Sequence, residues 1–274
     1  MAKKLSNIQY YMLLTIAFSI ITCACFIRKQ NHERFVNDLS RKKILLLYTS
    51  YRQNEEIKLS AEMINRTNFL KNADILFYCN NQDMFSKVDD LVNQFPNKNK
   101  KVVKSTKNAG GGRDGYIMGQ MEGIADTFQH YKDYDYVIQL HPDVYITNEN
   151  HIIDILRKHE TSNSAFIVNK SIPDYKKPEY GIPKNDEWFS SDFFIFKPKL
   201  LPSNVFSLWD KYRDKNNGKV YIPEHLLYLF ARDYKIPYVY VKRYDTDFSE
   251  PRRIDMLGVW HEHDLNKVRK YLNT

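Results

Sequence analysis

Between Lys42 and Lys158 the sequence alternates continuously apolar runs with stretches of helical periodicity, and that order leaves few folds open. "KKILLLYTSY" (Lys42–Tyr51) reads as a buried strand feeding a loop, because a strand covered on both faces shows no polar alternation. "EEIKLSAEMINRTNFLKN" (Glu55–Asn72) follows, with Ile57, Ala61, Ile64 and Phe69 on one side of a helix. "ADILFYCNN" and "KKVVKST" are a second and a third strand. Gly115–Tyr131 then spaces Ile117, Met121, Ile124 and Phe128 along one helical face. "DYVIQL" makes a fourth strand, and "NENHIIDILRK" a helix that Asn148 caps, with Glu149 in its first turn. The alternation predicts an α/β domain with a mostly parallel central sheet flanked by helices. Farther on, "SDFFIFKP" and "IPYVYVKRY" read as strands and "IPEHLLYLFARDY" as a helix opened by Pro223.

The first residues are of another kind. Tyr10–Ile27 carries no charge and sits between Lys3-Lys4 and Arg28-Lys29, close to the roughly 20 apolar residues that cross a hydrocarbon core. A cleaved signal peptide would have a shorter apolar core, and "TCACF" offers only a weak cleavage site, so an uncleaved anchor is the preferred reading. The expected organisation is a short tail over residues 1–9, a transmembrane anchor over 10–27, a polar stem over 28–41 and a single domain over 42–274. Basic residues after the anchor would hold that domain in the cytoplasm. Two sequons, at Asn65 and Asn169, suit a lumenal one. Cys79 is the lone cysteine after the anchor, so no disulfide framework decides the side. A single-pass membrane protein is expected, lumenal (Golgi or ER) or cytoplasmic.

The formal net charge is +8, and part of the excess lies in "NKNKKVVKSTK" (Asn97–Lys107). A solvated face accounts for such a run, and so does attraction to an anionic ligand or to lipid head groups. The run lacks interleaved aromatics and any nucleic-acid module, so no nucleic acid is expected as a partner.

Two segments carry the chemistry. In "NAGGGRDG" (Asn108–Gly115), three successive glycines let backbone approach a ligand, and a helix start beyond them offers free N–H groups to a phosphate or a sugar. The pattern is neither GxxxxGK[ST] nor GxGxxG. In "YVIQLHPDVYI" (Tyr136–Ile146), His141-Pro142-Asp143 interrupts the apolar run where the fourth strand ends. Ligands of parallel sheets collect at that carboxyl edge, where Thr49-Ser50-Tyr51 and Asn80-Asn81 also fall. An Asp placed there by a stiff proline is a ligand for a hard divalent cation, or else a cap on the next turn.

Glycine-rich loop, helix, and then an apolar strand ending in an acid followed by a helix resemble the core of glycosyltransferases of the GT-A fold, a Rossmann-related architecture. The resemblance covers roughly Lys43 to His263 as a pattern of elements with short motifs. It implies a membrane-anchored hexosyl- or pentosyltransferase moving a sugar from a nucleotide-diphosphate donor to a glycan or glycoconjugate acceptor. It also implies a Mn2+ or Mg2+ cofactor bound where that fold carries Asp-x-Asp. His141 stands in place of the first of those acids and only Asp143 matches, which leaves the choice of ion open. Donor-binding residues by this likeness are Thr49, Ser50, Tyr51, Asn108, Gly111, Gly112, Arg113, Asp114, His141 and Asp143. The late pair His261 and His263 in "GVWHEHD" joins Asp143 as metal ligands, since an extended chain points both the same way. Trp260 between them and the core stacks on a sugar or packs.

For the proton of the acceptor hydroxyl, two carboxylates stand out. The resemblance places a base in "PEHLL" where His225 stands instead of an Asp, which leaves Glu224 as the nearest carboxylate, although a first-turn acid also suits the helix dipole. Asp192 in "WFSSDFF" is the second catalytic candidate and is assigned to acceptor or donor-sugar binding. Two literal Asp-x-Asp strings, at Asp133 and Asp245, rank lower: the first precedes its strand, and the second lacks an apolar stretch after it. Two other functions compete. A sugar nucleotidyltransferase would carry a glycine-rich phosphate loop after the first strand, where "TSYRQNEE" has no glycine. A basic, non-enzymatic protein binding a membrane surface or nucleic acid would use only the charge.

Overall fold

The computed structural model describes residues 14–27, 38–50, 54–105, 113–171, 188–205, 207–209, 211, 223–241 and 258–273. The chain divides into two compact units, Met1–Arg41 and Lys42–Thr274. In the first, residues 14–27 form a helix with exposed Leu14, Phe18 and Ile21. Among the described residues no helix is long and apolar enough to cross a membrane. The transmembrane anchor over residues 10–27 is therefore corrected. The membrane as partner and the single-pass localisation, which rested on that run, are corrected with it. A stretch without charge sets no helix length by itself.

In the second unit the predicted strands pair as the apolar runs suggest. Strands β1 (Ile44–Ser50), β2 (Asp74–Cys79), β3 (Lys100–Lys104) and β4 (Tyr136–Leu140) run parallel in the order β3-β2-β1-β4. Every residue of β1 and β4 is buried, which explains their unbroken apolar pattern. Beyond β4 the order continues as β7 (Trp188–Phe196), β6 (Phe166–Ser171) and β8 (Tyr238–Val241). Strand β7 is antiparallel to both its neighbours, and β6 is parallel to β8. The sheet is thus mixed, with β7 the reversed strand in a set that otherwise shares one direction.

Helices cover both faces: α1 (Asn54–Asn65), α2 (Val88–Asn93), α3 (Arg113–Tyr131), α4 (Glu149–Lys158), α5 (Pro223–Asp233) and α6 (Leu265–Leu272). On one face Leu45, Leu47, Leu76 and Val137 pack with Ile124 and Tyr131 of α3. There Gly123 allows close approach, since a Cβ on it would stand 2.8 Å from both Thr49 Cγ2 and Tyr78 Cδ1. On the other face Tyr48 stacks on Phe77 at 4.7 Å, and Phe95 meets both rings edgewise or tilted. The helix expected over Glu55–Asn72 is broken: α1 stops at Asn65, and a short 3₁₀ turn covers Leu70–Asn72.

The apolar tail of "HPDVYI" does not extend β4. Val144–Ile146 forms a separate strand, β5, paired antiparallel with β9 (Val259–His261) in a two-stranded ribbon. Beneath it lies a second small core of Leu59 and Met63 from α1, Tyr145, Trp260, and Val268 and Leu272 from α6.

Candidate functional site

Because β4 and β5 belong to different sheets, the chain must turn between them, and His141-Pro142-Asp143 supplies that turn. The amide of Val144 donates to the carbonyl of His141 at 3.0 Å, which closes a four-residue turn with Pro142 in the position whose φ proline presets. Two further bonds hold the turn from either side. Ser60 Oγ of α1 donates to Pro142 O at 2.7 Å, and the Glu262 amide donates to Asp143 O at 3.2 Å. The backbone of Asp143 is therefore fixed by α1 and by the residue that follows β9.

Asp143 is 5% exposed. Its Oδ2 lies 3.1 Å from His263 Nδ1 and 3.5 Å from His261 Nε2. One ligand atom from each of the three residues falls within 4.8 Å of the others, a spacing that can hold a metal ion. The register of the ribbon explains the meeting: Val144 pairs with His261, so the residue before β5 and the residues after β9 share one end. His261 and His263 are two apart in extended chain and point the same way, their rings edge to face at 4.6 Å. The set suits a divalent ion chemically. Carboxylate oxygen and neutral imidazole nitrogen serve manganese, iron or zinc, and the side chain of His263, 78% exposed, leaves the outer side open to further ligands.

The polar residues around the pair serve structure. Asp264 Oδ1 accepts the Asn266 amide as the N-cap of α6, while Glu262 Oε1 accepts the Asp264 amide and Oε2 meets Lys267 at 3.2 Å. Trp260 is 1% exposed and packs between Tyr145 and Tyr271, so of the two readings of this ring, packing is the one observed. Tyr145 is fully buried beside the turn, and burial drives its hydroxyl well above the usual phenol value.

The other expected residues distribute as follows. Ser50 closes β1 at the carboxyl edge, with Oγ buried and without a hydrogen-bond partner among the described residues. Thr49 turns to the opposite face, under Gly123, and its Oγ1 accepts from Gln139 Nε2 at 3.4 Å. His141 is half-buried at the start of the turn. Arg113 and Asp114 open α3. Asp192 lies in β7 one residue before Phe193, which pairs with Leu140, so its backbone runs alongside the end of β4 at the same edge as Asp143. Glu224 is the second residue of α5. Tyr51, Asn108, Gly111, Gly112 and the string at Asp245 lie outside the described residues.

Sequence reasoning passed over Ser60 and Gly258. Gly258 precedes β9 with φ +73°, its carbonyl accepts the amides of Thr147 and Asn148, and a Cβ on it would stand 2.6 Å from His151 Cβ. A lone glycine before an apolar triplet was its one signal in the sequence.

No protein-family model and no curated protein matches the sequence. Solved structures do match. The galactosyltransferase LgtC, in complex with donor and acceptor sugar analogues, is similar with a TM-score of 0.53 at 10% identity, covering 84% of this chain and 95% of that one. A glycosyltransferase involved in glycosylation of the major capsid of PBCV-1 matches at TM-score 0.50 and 10% identity, over 84% and 98% of the two chains. The glycosyltransferase GlyE of Streptococcus pneumoniae TIGR4 gives 0.51 at 12%, over 85% of this chain and 61% of its own. The chain has the GT-A fold. In this chain the Asp143 turn follows the fourth strand of the sheet.

Proposed function

We propose that this protein transfers a sugar from a nucleotide-diphosphate donor to a hydroxyl of a glycan or glycoconjugate, using a divalent ion held by Asp143, His261 and His263. The observation that carries the reading is the convergence of one buried carboxylate and two imidazoles at the carboxyl edge of a GT-A sheet. When bound there, the ion would neutralise charge on the departing diphosphate. Two imidazoles and one carboxylate favour Mn2+ over Mg2+, which prefers oxygen ligands.

The remaining roles belong to this chain's own groups. Ser50 offers the donor a buried hydroxyl at the strand end. His141, Tyr51 and the segment Asn108–Asp114 bind the nucleotide and its sugar, with the Arg113 guanidinium countering phosphate charge. Thr49 supports the edge from beneath α3. Glu224, at the start of α5, takes the proton of the attacking acceptor hydroxyl, and Asp192, alongside the end of β4, orients a sugar.

The test is sugar transfer, or donor hydrolysis, measured across UDP-, GDP- and dTDP-sugars with and without Mn2+. Turnover with one donor class, abolished by chelation and reduced about 100-fold or more in Asp143→Ala, is expected. Undiminished turnover in that variant with the metal chelated rejects the proposed centre.

A further inference from the structure

At the opposite, amino edge of the sheet, a cavity of about 430 Å³ opens where β1, β2 and β3 begin and α3 ends. Its volume lies in the range of small-molecule sites, roughly 300–1,000 Å³. Leu45 of β1 lines it, whereas the Asp143 turn leaves the sheet after Leu140, opposite Tyr48, about 10 Å farther along the strands, and no residue of that turn lines the cavity. The basic run of the sequence, for which the proposed reaction has no use, supplies one wall: Lys98, Asn99, Lys100 and Lys101 all line it.

The charges in this cavity are unevenly committed. Asp74, on the floor, is already satisfied: Asn99 Nδ2 donates to Oδ1 at 2.8 Å and the Tyr134 hydroxyl donates to Oδ2 at 2.6 Å. Lys100 donates its ammonium to the carbonyls of Asn93, the last residue of α2, and of Phe95. Lys98 and Lys101 make no ion pair with a carboxylate among the described residues. Lys101 Nζ instead donates to His130 Nδ1 at 3.0 Å, so its charge meets an imidazole and no carboxylate. Lys98, Lys100 and Lys101 against Asp74 leave an excess of positive charge. The carboxyl end of α3 subtracts only about half a charge, so the field in the cavity stays positive.

We propose that this cavity is a binding site for a small phosphate ester, whose phosphoryl group bridges Lys101 and His130 with Lys98 and whose body lies over the Asp74–Tyr134–Asn99 floor. Asn99 and Tyr134 present polar edges suited to hydroxyl groups, and the volume exceeds the need of a bare inorganic ion. The site is separate from the proposed donor site and stands whether or not the chain transfers sugar.

His130 reports occupancy. Burial first, and then Lys101, holds its imidazole below the usual 6.5, and an anion seated against the pair would raise it. The experiment is an NMR titration of the His130 ring in the full chain with glucose 6-phosphate, inorganic phosphate, glucose and, at matched ionic strength, sodium chloride. A saturable upward shift of the His130 titration with both phosphates, tighter for the ester and absent with glucose or chloride, is expected. Lys98→Met with Lys101→Met should weaken the ester by at least about tenfold while leaving divalent-ion binding at Asp143 unchanged. Phosphorus line broadening in His130→Gln gives a second readout that does not depend on the ring. An equal shift with sodium chloride, or ester binding unchanged in the double variant, overturns the proposal; equal affinity for ester and inorganic phosphate overturns the assignment of a bound body.

Discussion

Gly258 shows how a residue that touches no ligand can decide whether the centre exists. Its φ of +73° is a backbone state that side chains with a Cβ adopt at a cost, and the space a Cβ would need is taken by His151. Gly258→Ala should therefore destabilise the protein by about 1–3 kcal/mol. The same change should weaken Mn2+ binding, because β9 carries His261 into register with Val144. Urea unfolding together with a calorimetric metal titration checks both. A variant with wild-type stability and wild-type metal affinity would show that β9 tolerates another path. Asp143 was legible as a candidate ligand because it interrupts an apolar run, and interruptions of that kind are visible in one dimension. Ser60 was not, since an apolar helix face with one serine in it reads as ordinary amphipathic sequence.

At the scale of elements, the ribbon β5–β9 and helix α6 act as one piece, cemented to α1 by Trp260, Tyr145, Val268 and Leu272. Arg66 of the turn after α1 donates to the carbonyl of Leu272, and Arg269 meets Glu55 at 3.2 Å, but exposed pairs of that kind contribute little. The apolar contacts decide. Trp260→Ala should cost about 3–5 kcal/mol and, by loosening the ribbon, lower metal affinity more than it lowers nucleotide binding. Thermal unfolding with and without Mn2+ separates the two effects: a variant still stabilised by the ion as strongly as wild type would mean the ribbon is set by its backbone bonds alone. Strands β1, β2 and β4 could be read from the sequence because burial on both faces leaves an unmistakable apolar run. Strand β9 could not: three residues between a glycine and a polar tail have no period to detect. Strand β6, "FIVNKS", is apolar for only half its length, so its pairing with β7 and β8 emerges only in the sheet. The uncharged N-terminal run raised the expectation of a spanning helix, which no helix among the described residues meets.

For the whole molecule, acid stability draws on histidines held below their usual value, His151 and His159 in addition to His130. Burial lowers His151 below the usual 6.5, opposed in part by Asp154. Burial also lowers His159, reinforced by Lys158 and Lys197. The unfolded chain binds protons on both near 6.5 while the folded chain does not, so unfolding takes up protons below that pH. Stability is fully present above about 6.5 and declines as pH falls from there toward the folded values. Urea midpoints measured between about pH 7.5 and 5.5 should fall, and His151→Gln with His159→Gln should flatten the decline. A double variant with the wild-type slope would assign the acid sensitivity elsewhere. The pairing of Asp143 with residues 261 and 263 has a last consequence for how the protein is made. A nascent chain emerging from the ribosome can assemble the parallel strands β1 to β4 while the C-terminal ribbon strand is still untranslated. The two imidazoles are translated well after Asp143, so the parallel strands can pair before the three groups that could hold an ion have all been made.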